Sequence, residues 1–351
     1  MKTYLVTGGA GFIGSNFILY MLNKYNGIKI VNLDKLTYAG NPENLKSIDG
    51  DERYCFVHGD VADHALTGRI FREHKPDVVV NFAAESHVDR SILDPGVFAE
   101  TNVLGTVNLL NIARDFWRSG GGFRPDAKFL QISTDEVYGA LGPAGFFTED
   151  TTLAPHSPYS ASKASADLFV KAYADTFGLP MNITRCSNNY GPFQFPEKVI
   201  PVMISNALAH KELPVYGDGM QVRDWLYVDD HCKAIDMVID GGKPGEVYNI
   251  GGHNERRNIE LVKKIIAYIR ENADGSVDES LIRHVEDRKG HDRRYAIDPS
   301  KIKRDLGWEP ETAFEDGIAK TIDWYLNNKK WLADVTNGAY QDYYKKNYEH
   351  R

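Results

Sequence analysis

The chain has 351 residues, 42% of them hydrophobic, and carries a formal net charge of −8. That length exceeds what one hydrophobic core sustains, so a large α/β unit with a second lobe is expected. The acidic balance argues against a general affinity for nucleic acid or anionic membrane, because both require a basic field.

The first half alternates short β-branched runs with helical stretches. "TYLVTG", "KIVNLD", "RYCFVHGD", "DVVVNFAA" and "KFLQIS" read as strands, separated by segments such as "GSNFILYMLNKY" and "TNVLGTVNLLNIARDF", and "MNITRCSN" adds a sixth strand. This rhythm predicts right-handed βαβ units and a Rossmann-type, doubly wound parallel α/β sheet. Beyond Tyr190 the rhythm breaks into stretches rich in Pro, Gly, aromatic and basic residues, "GPFQFPEK" and "LPVYGDGMQVRDW", before "GEVYNIGG" returns to strand character. We therefore place a cofactor-binding domain at 1–190, with segments near 224–252 returning to it, and a smaller interleaved lobe mainly at 191–351. The tyrosine-rich tail from about residue 331 carries no functional signal.

Cys55, Cys186 and Cys232 stand far apart. Their odd count and spacing suggest neither a disulfide framework nor a metal site, and a reducing cytoplasm is expected. The opening "MKTYLVTGGAGFIG" lacks the order of a signal peptide, and no apolar run is long enough to span a bilayer.

"GGAGFIG" spaces Gly8, Gly11 and Gly14 between the first strand and the first helix. Gly8 permits the tight turn, Gly11 lets a pyrophosphate approach the backbone, and Gly14 lets helix and strand pack closely. Asp34 follows 20 residues after Gly14, at the end of the second strand, where an acid accepts hydrogen bonds from an adenosine ribose. The acid repels a 2′-phosphate, so NAD is expected over NADP, although the adjacent Lys35 pulls the other way. Asp60, after the third strand, is a candidate for the adenine side.

In "HSPYSASKASADLFVKAYADTFG", Ser157 reads as a helix N-cap with Pro158 in the first position, which puts Tyr159 and Lys163 one turn apart on one face. A nearby ammonium and a positive nicotinamide both favour a tyrosine phenolate. Before this helix, "ISTDEVYGA" sets Asp135 and Glu136 together just past a strand end, where ligands of α/β sheets bind. Two carboxyls in different environments can supply an acid and a base at one pH.

The chain resembles the extended short-chain dehydrogenase/reductases and, among them, the dTDP-glucose 4,6-dehydratases. The likeness runs through "TGGAGFIGSN", "DKLTYAGN", "FAAESHVDRSI", "STDEVYG", "PYSASKA", "RCSNNYGPFQFPEK", "LPVYGDGMQVRDWLYVDD" and "DRKGHDRRYAID". Relatives that epimerise or decarboxylate nucleotide sugars usually lack the Asp of "TDE".

The resemblance implies an NAD-dependent hydro-lyase. Tyr159, with Lys163 and Thr134, takes the C4 hydroxyl proton as hydride passes to NAD. Glu136 then removes the C5 proton while Asp135 protonates the departing C6 hydroxyl, and hydride returns to C6. NAD is regenerated in each cycle and should stay bound. The resemblance extends the cofactor set from Gly8, Gly11, Gly14, Asp34, Lys35 and Asp60 to Phe12, Ile13, Leu36, Thr37, Val61, Ala83, Ala84, Ser86, Thr101, Tyr159, Lys163 and Asn189.

The nucleotide-sugar set is Ser86, Thr134, Asp135, Glu136, Asn189, Lys198, Val199, Pro214, Val215, Tyr216, Arg223, Asn258, Arg288, His291 and Tyr295. Arg293 stands with the last three in one basic cluster, and His87 could be pocket wall or core. The helices spanning 101–117 and 160–177 are apolar on more of their circumference than one covered face needs, and relatives pair through them, so a homodimer is expected. The alternatives are a UDP-sugar epimerase or decarboxylase of the same fold, and a non-enzymatic NAD-binding sensor.

Overall fold

The strands of the first half are apolar on both faces, as a parallel sheet covered by helices on each side requires. The computed structural model describes residues 1–287 and 290–336. In chain order the first lobe runs β1 (Lys2–Thr7), α1 (Phe12–Lys24), β2 (Ile28–Asp34), β3 (Tyr54–His58), α2 (His64–His74), β4 (Val78–Asn81), α3 (Val88–Leu93), α4 (Gly105–Trp117), β5 (Lys128–Thr134), α5 (Pro158–Phe177) and β6 (Met181–Cys186).

There follow β7 (Asn188–Tyr190), α6 (Val199–Leu208), β8 (Leu213–Tyr216), β9 (Val222–Tyr227), α7 (Val228–Gly241), β10 (Val247–Ile250), β11 (Glu255–Arg257), α8 (Asn258–Asn272), β12 (Ile282–Val285), α9 (Ser300–Leu306) and α10 (Phe314–Asn327).

The main sheet has seven strands in the order β10-β6-β5-β4-β1-β2-β3, all parallel. Alternation along each strand feeds two cores. Tyr4 and Val6 pack with α1 and α7 on one face, while Leu5 packs with α2, α4 and α5 on the other. The chain reverses between β4 and β5 on one side and β1 and β2 on the other, and the crevice at their carboxyl ends is where such sheets bind ligands.

A third core, built from α6, α8, α10 and the small strands, holds the second lobe together. The segment 224–252 divides between the lobes. Residues 224–227, expected with the first lobe, lie in β9, which pairs with β7 and β11 in a small three-stranded sheet. Its alternation sends Trp225 and Tyr227 into the second lobe's core and Leu226 into the first, so the strand is a seam. The helix and strand after it, α7 and β10, join the main sheet. So do Ile302 of α9 and Trp308, from a region expected in the second lobe.

Candidate active site

At the crevice, β1 ends in the glycine turn. Gly8 takes φ of +68°, and a Cβ there would stand 2.7 Å from the Ala83 nitrogen. A Cβ on Gly14 would stand 2.4 Å from the Gly8 carbonyl oxygen. Gly11 caps α1 without any side-chain hydrogen bond, leaving the helix N-terminus open toward a cavity of about 290 Å³. Bare backbone amides at a helix start are an anion site.

Across this cavity, both carboxylate oxygens of Asp34 accept backbone N–H groups, from Ala10 at 2.9 Å and Leu36 at 2.8 Å. Burial pushes the Asp34 carboxyl up, and these two bonds pull it back. Lys35 is drawn aside, its Nζ 2.6 Å from Asp60. The ion pair answers the ambiguity Lys35 raised, because the ammonium is already matched by a carboxylate. Phe12, Ile13, Thr37, Val61, Ala83, Ala84, Ser86, Thr101 and Asn189 also line the cavity. Leu36, assigned to the cofactor, does not: it sits in the turn with φ of 54° and contributes its N–H to Asp34. The glycine cradle, open helix end and the acid in the cavity wall fit a dinucleotide.

The reacting groups gather at the inner end. Strand β5 delivers Thr134, whose side chain accepts the Glu136 N–H at 3.3 Å and starts a short 3-10 turn over Asp135–Tyr138. That turn drives Asp135 inward, 2% exposed, and leaves Glu136 half-buried at the cavity. Thr134 Oγ1 donates to Asp135 Oδ1 at 3.3 Å, while Asp135 Oδ2 has no hydrogen-bond partner. Burial, then the carboxylates of Glu136 and Asp224, push the Asp135 carboxyl well above the usual range, against the pull of Arg223. Burial and its acidic neighbours thus favour the protonated form of Asp135.

Helix α5 begins with Ser157 in a capping box and Pro158 in its first turn, which fixes the register that brings Tyr159 and Lys163 into the same cavity. Lys163 Nζ donates to the Ile132 carbonyl at 2.7 Å, and burial lowers its pKa. Burial, Glu136 and Cys186 push the Tyr159 hydroxyl up, with only Thr134 opposing.

A second cavity of about 160 Å³ adjoins the first. Glu136, Asn188, Asn189, Gln194, Glu197 and Lys198 line both. His87, Val199, Pro214, Val215, Tyr216, Arg223, Asn258 and His291 complete the second wall, where the buried Asn258 Oδ1 has no partner. Two expected residues stand elsewhere, and a third is not described. Tyr295 is buried behind Arg223, with its hydroxyl on Asp292, and lines neither cavity. Arg293 turns outward into a two-pronged pair with Asp218, and Arg288 lies outside the described residues.

Asn188, Gln194 and Glu197 were missed by sequence reasoning. Their only signal was position in the polar, proline-rich segment that also carries Asn189 and Lys198. Buried His231 was also missed; desolvation lowers its pKa to about 3, and it meets Asn189 Oδ1 at 2.8 Å.

The parallel sheet, glycine turn and Tyr–Lys helix define an extended short-chain dehydrogenase/reductase. A family model described as GDP-mannose 4,6 dehydratase matches residues 5–321. The dTDP-glucose 4,6-dehydratase of Xanthomonas campestris pv. campestris (strain B100) is 57% identical over 345 residues, covering 97% of this chain and 98% of the relative. The solved dTDP-glucose 4,6-dehydratase from Bacillus anthracis str. Ames in complex with NAD aligns with a TM-score of 0.86 and 49% identity, over 95% of this chain and 100% of that one. DesIV, a dTDP-glucose 4,6-dehydratase from Streptomyces venezuelae with NAD and TYD bound, gives 0.88 and 47%, over 95% and 99%. The chain belongs to the family of the dTDP-glucose 4,6-dehydratases.

Proposed function

We infer that this protein is an NAD-dependent hydro-lyase that dehydrates dTDP-glucose to dTDP-4-keto-6-deoxyglucose. The observation that carries the reading is Asp135, a buried carboxyl with one oxygen unpartnered and its protonated form favoured, beside Glu136 where the two cavities meet. Elimination of water needs such an acid, whereas epimerisation at C4 does not.

NAD, when bound, supplies the hydride acceptor for C4 oxidation and the donor that completes C6. Tyr159, as the phenolate that the positive nicotinamide and the Lys163 ammonium would favour, receives the C4 hydroxyl proton, with Thr134 beside it. The ketone so formed acidifies the C5 hydrogen, and Glu136 takes that proton. Asp135 passes its own proton to the C6 hydroxyl, which leaves as water; as hydride reaches C6, Glu136 gives its proton back to C5, and the proton Tyr159 took offsets the one Asp135 gave up. Nucleotide phosphates are met by Arg223 and Lys198, and the base by Pro214, Val215 and Tyr216 with Asn258 as acceptor. The first lobe carries NAD and the second the nucleotide.

We also propose a cytoplasmic homodimer. Leu104, Leu168 and Phe169 are 59%, 60% and 42% exposed on the first lobe. Apolar side chains exposed together on neighbouring helices suit a partner subunit. The three cysteines are free thiols, which suits a reducing compartment.

The test is mass spectrometry of the purified protein with dTDP-glucose and, in parallel, UDP-, CDP- and GDP-sugars, first without added NAD and then with it. Loss of one water from the dTDP-sugar supports the reading. An unchanged mass with altered sugar stereochemistry would make it an epimerase, and no change with any sugar even after NAD is added would make it a sensor.

A further inference from the structure

Glu197 has no part in the acid and base chemistry, yet its carboxylate is buried in the wall shared by both cavities. It accepts the Tyr38 hydroxyl at 2.8 Å and Arg90 Nε at 3.3 Å. The Arg90 guanidinium lies over the Tyr38 ring, 3.7 Å from its centroid, so the three side chains close a triangle.

Each corner comes from a different segment. Tyr38 follows Asp34 in the loop whose Thr37 and Ala39 line the cofactor cavity. Arg90 belongs to α3, just after Ser86. Glu197 comes from the segment leading into the second lobe, beside Lys198, whose Nζ donates to the Ser86 carbonyl at 2.8 Å. The triangle thus ties the second lobe to two cofactor-facing loops of the first.

Tyr38 and Arg90 do not line the cofactor cavity but a third cavity of about 690 Å³. Gly40 and Phe195 line both that cavity and the cofactor cavity. The triangle therefore stands in the partition between the cofactor cavity and an outer cleft. A buried carboxylate deprived of a donor is costly, so the partition stays shut while both donors are in place.

We propose that Tyr38, Arg90 and Glu197 form a clasp that holds this partition closed and sets the rate at which NAD leaves. The proposal rests on the dehydratase reading only for the identity of the cofactor and its retention through the cycle. Tyr38 and Arg90 act as positioning residues, through Glu197.

The experiment loads the full-length protein with NAD, removes free NAD by rapid gel filtration into a scavenging enzyme, and follows bound NAD with time. Tyr38→Phe should release NAD about tenfold faster or more, the effect of losing one hydrogen bond to a charged group. Arg90→Met should also release it faster, and Arg90→Lys should recover part of the difference by restoring the charge. A modest fall in melting temperature is expected because buried Glu197 loses a donor, and activity lost on dilution should return when NAD is added. Parental release rates in both Tyr38→Phe and Arg90→Met overturn the clasp, as does equally fast release from Ile265→Val, in the second lobe's core, when its melting temperature falls as far. Failure of the parent protein to dehydrate dTDP-glucose would instead remove the catalytic reading, while the release rates would still judge the clasp.

Discussion

Asp135 is buried with Oδ2 unpartnered, while Glu136, the next residue, stands half-buried where the two cavities meet. The 3-10 turn begun at Thr134 produces this split. Asp135→Asn keeps the shape and removes the transferable proton. Turnover should fall about 10²–10⁴-fold, the usual worth of a positioned acid. Oxidation at C4 should survive, so NADH absorbance should accumulate in a single turnover. Normal product formation would remove Asp135 from the role of acid.

The raised pKa of Asp135 has a consequence for stability. In the unfolded chain this carboxyl loses its proton near the ordinary value, while in the folded protein it keeps it to higher pH. Between those two values folding takes up a proton, so this group's contribution to stability falls as pH rises through the window. Melting temperature against pH for the parent and Asp135→Asn should show the difference: the variant lacks that part of the decline. Parallel curves would mean that the site does not perturb the carboxyl.

Gly14→Ala places a methyl 2.4 Å from the Gly8 carbonyl and 2.8 Å from the Gly9 Cα, both backbone atoms that cannot swing away. The helix must shift from the strand, costing about 1–3 kcal/mol, and the anion site at its N-terminus moves with it. The purified variant should carry markedly less NAD than the parent, measured as cofactor per chain after denaturation. Equal occupancy would show that the turn tolerates the shift.

Leu104→Glu combined with Leu168→Glu puts two charges on the exposed apolar helix face. Analytical ultracentrifugation should find a dimer for the parent and a monomer for the double variant, with helix content unchanged. A parent that sediments as a monomer, or a variant that still pairs, would place the interface elsewhere or nowhere.

Much of the first lobe was legible because its signals are local. Short β-branched apolar runs, the glycine turn and the Ser157–Pro158 helix start each depend on residues a few positions apart. That Leu36 and Tyr295 line neither cavity was not legible for the opposite reason: proximity in sequence to site residues does not say which way a side chain turns. Leu36 supplies only its N–H to Asp34, and Tyr295 is drawn behind Arg223 by Asp292.

The sequence by itself determined the sheet, the cofactor turn, the Tyr159–Lys163 register and the acid pair, since backbone stereochemistry and short-range capping act without the rest of the molecule. Only the tertiary structure decided that the Asp135 carboxyl is pushed up, because burial and the distant Asp224 carboxylate raise it against the pull of Arg223. It alone brought Tyr38, Arg90 and Glu197 together. Burial and long-range charge are properties of how distant segments pack, and no local pattern encodes them.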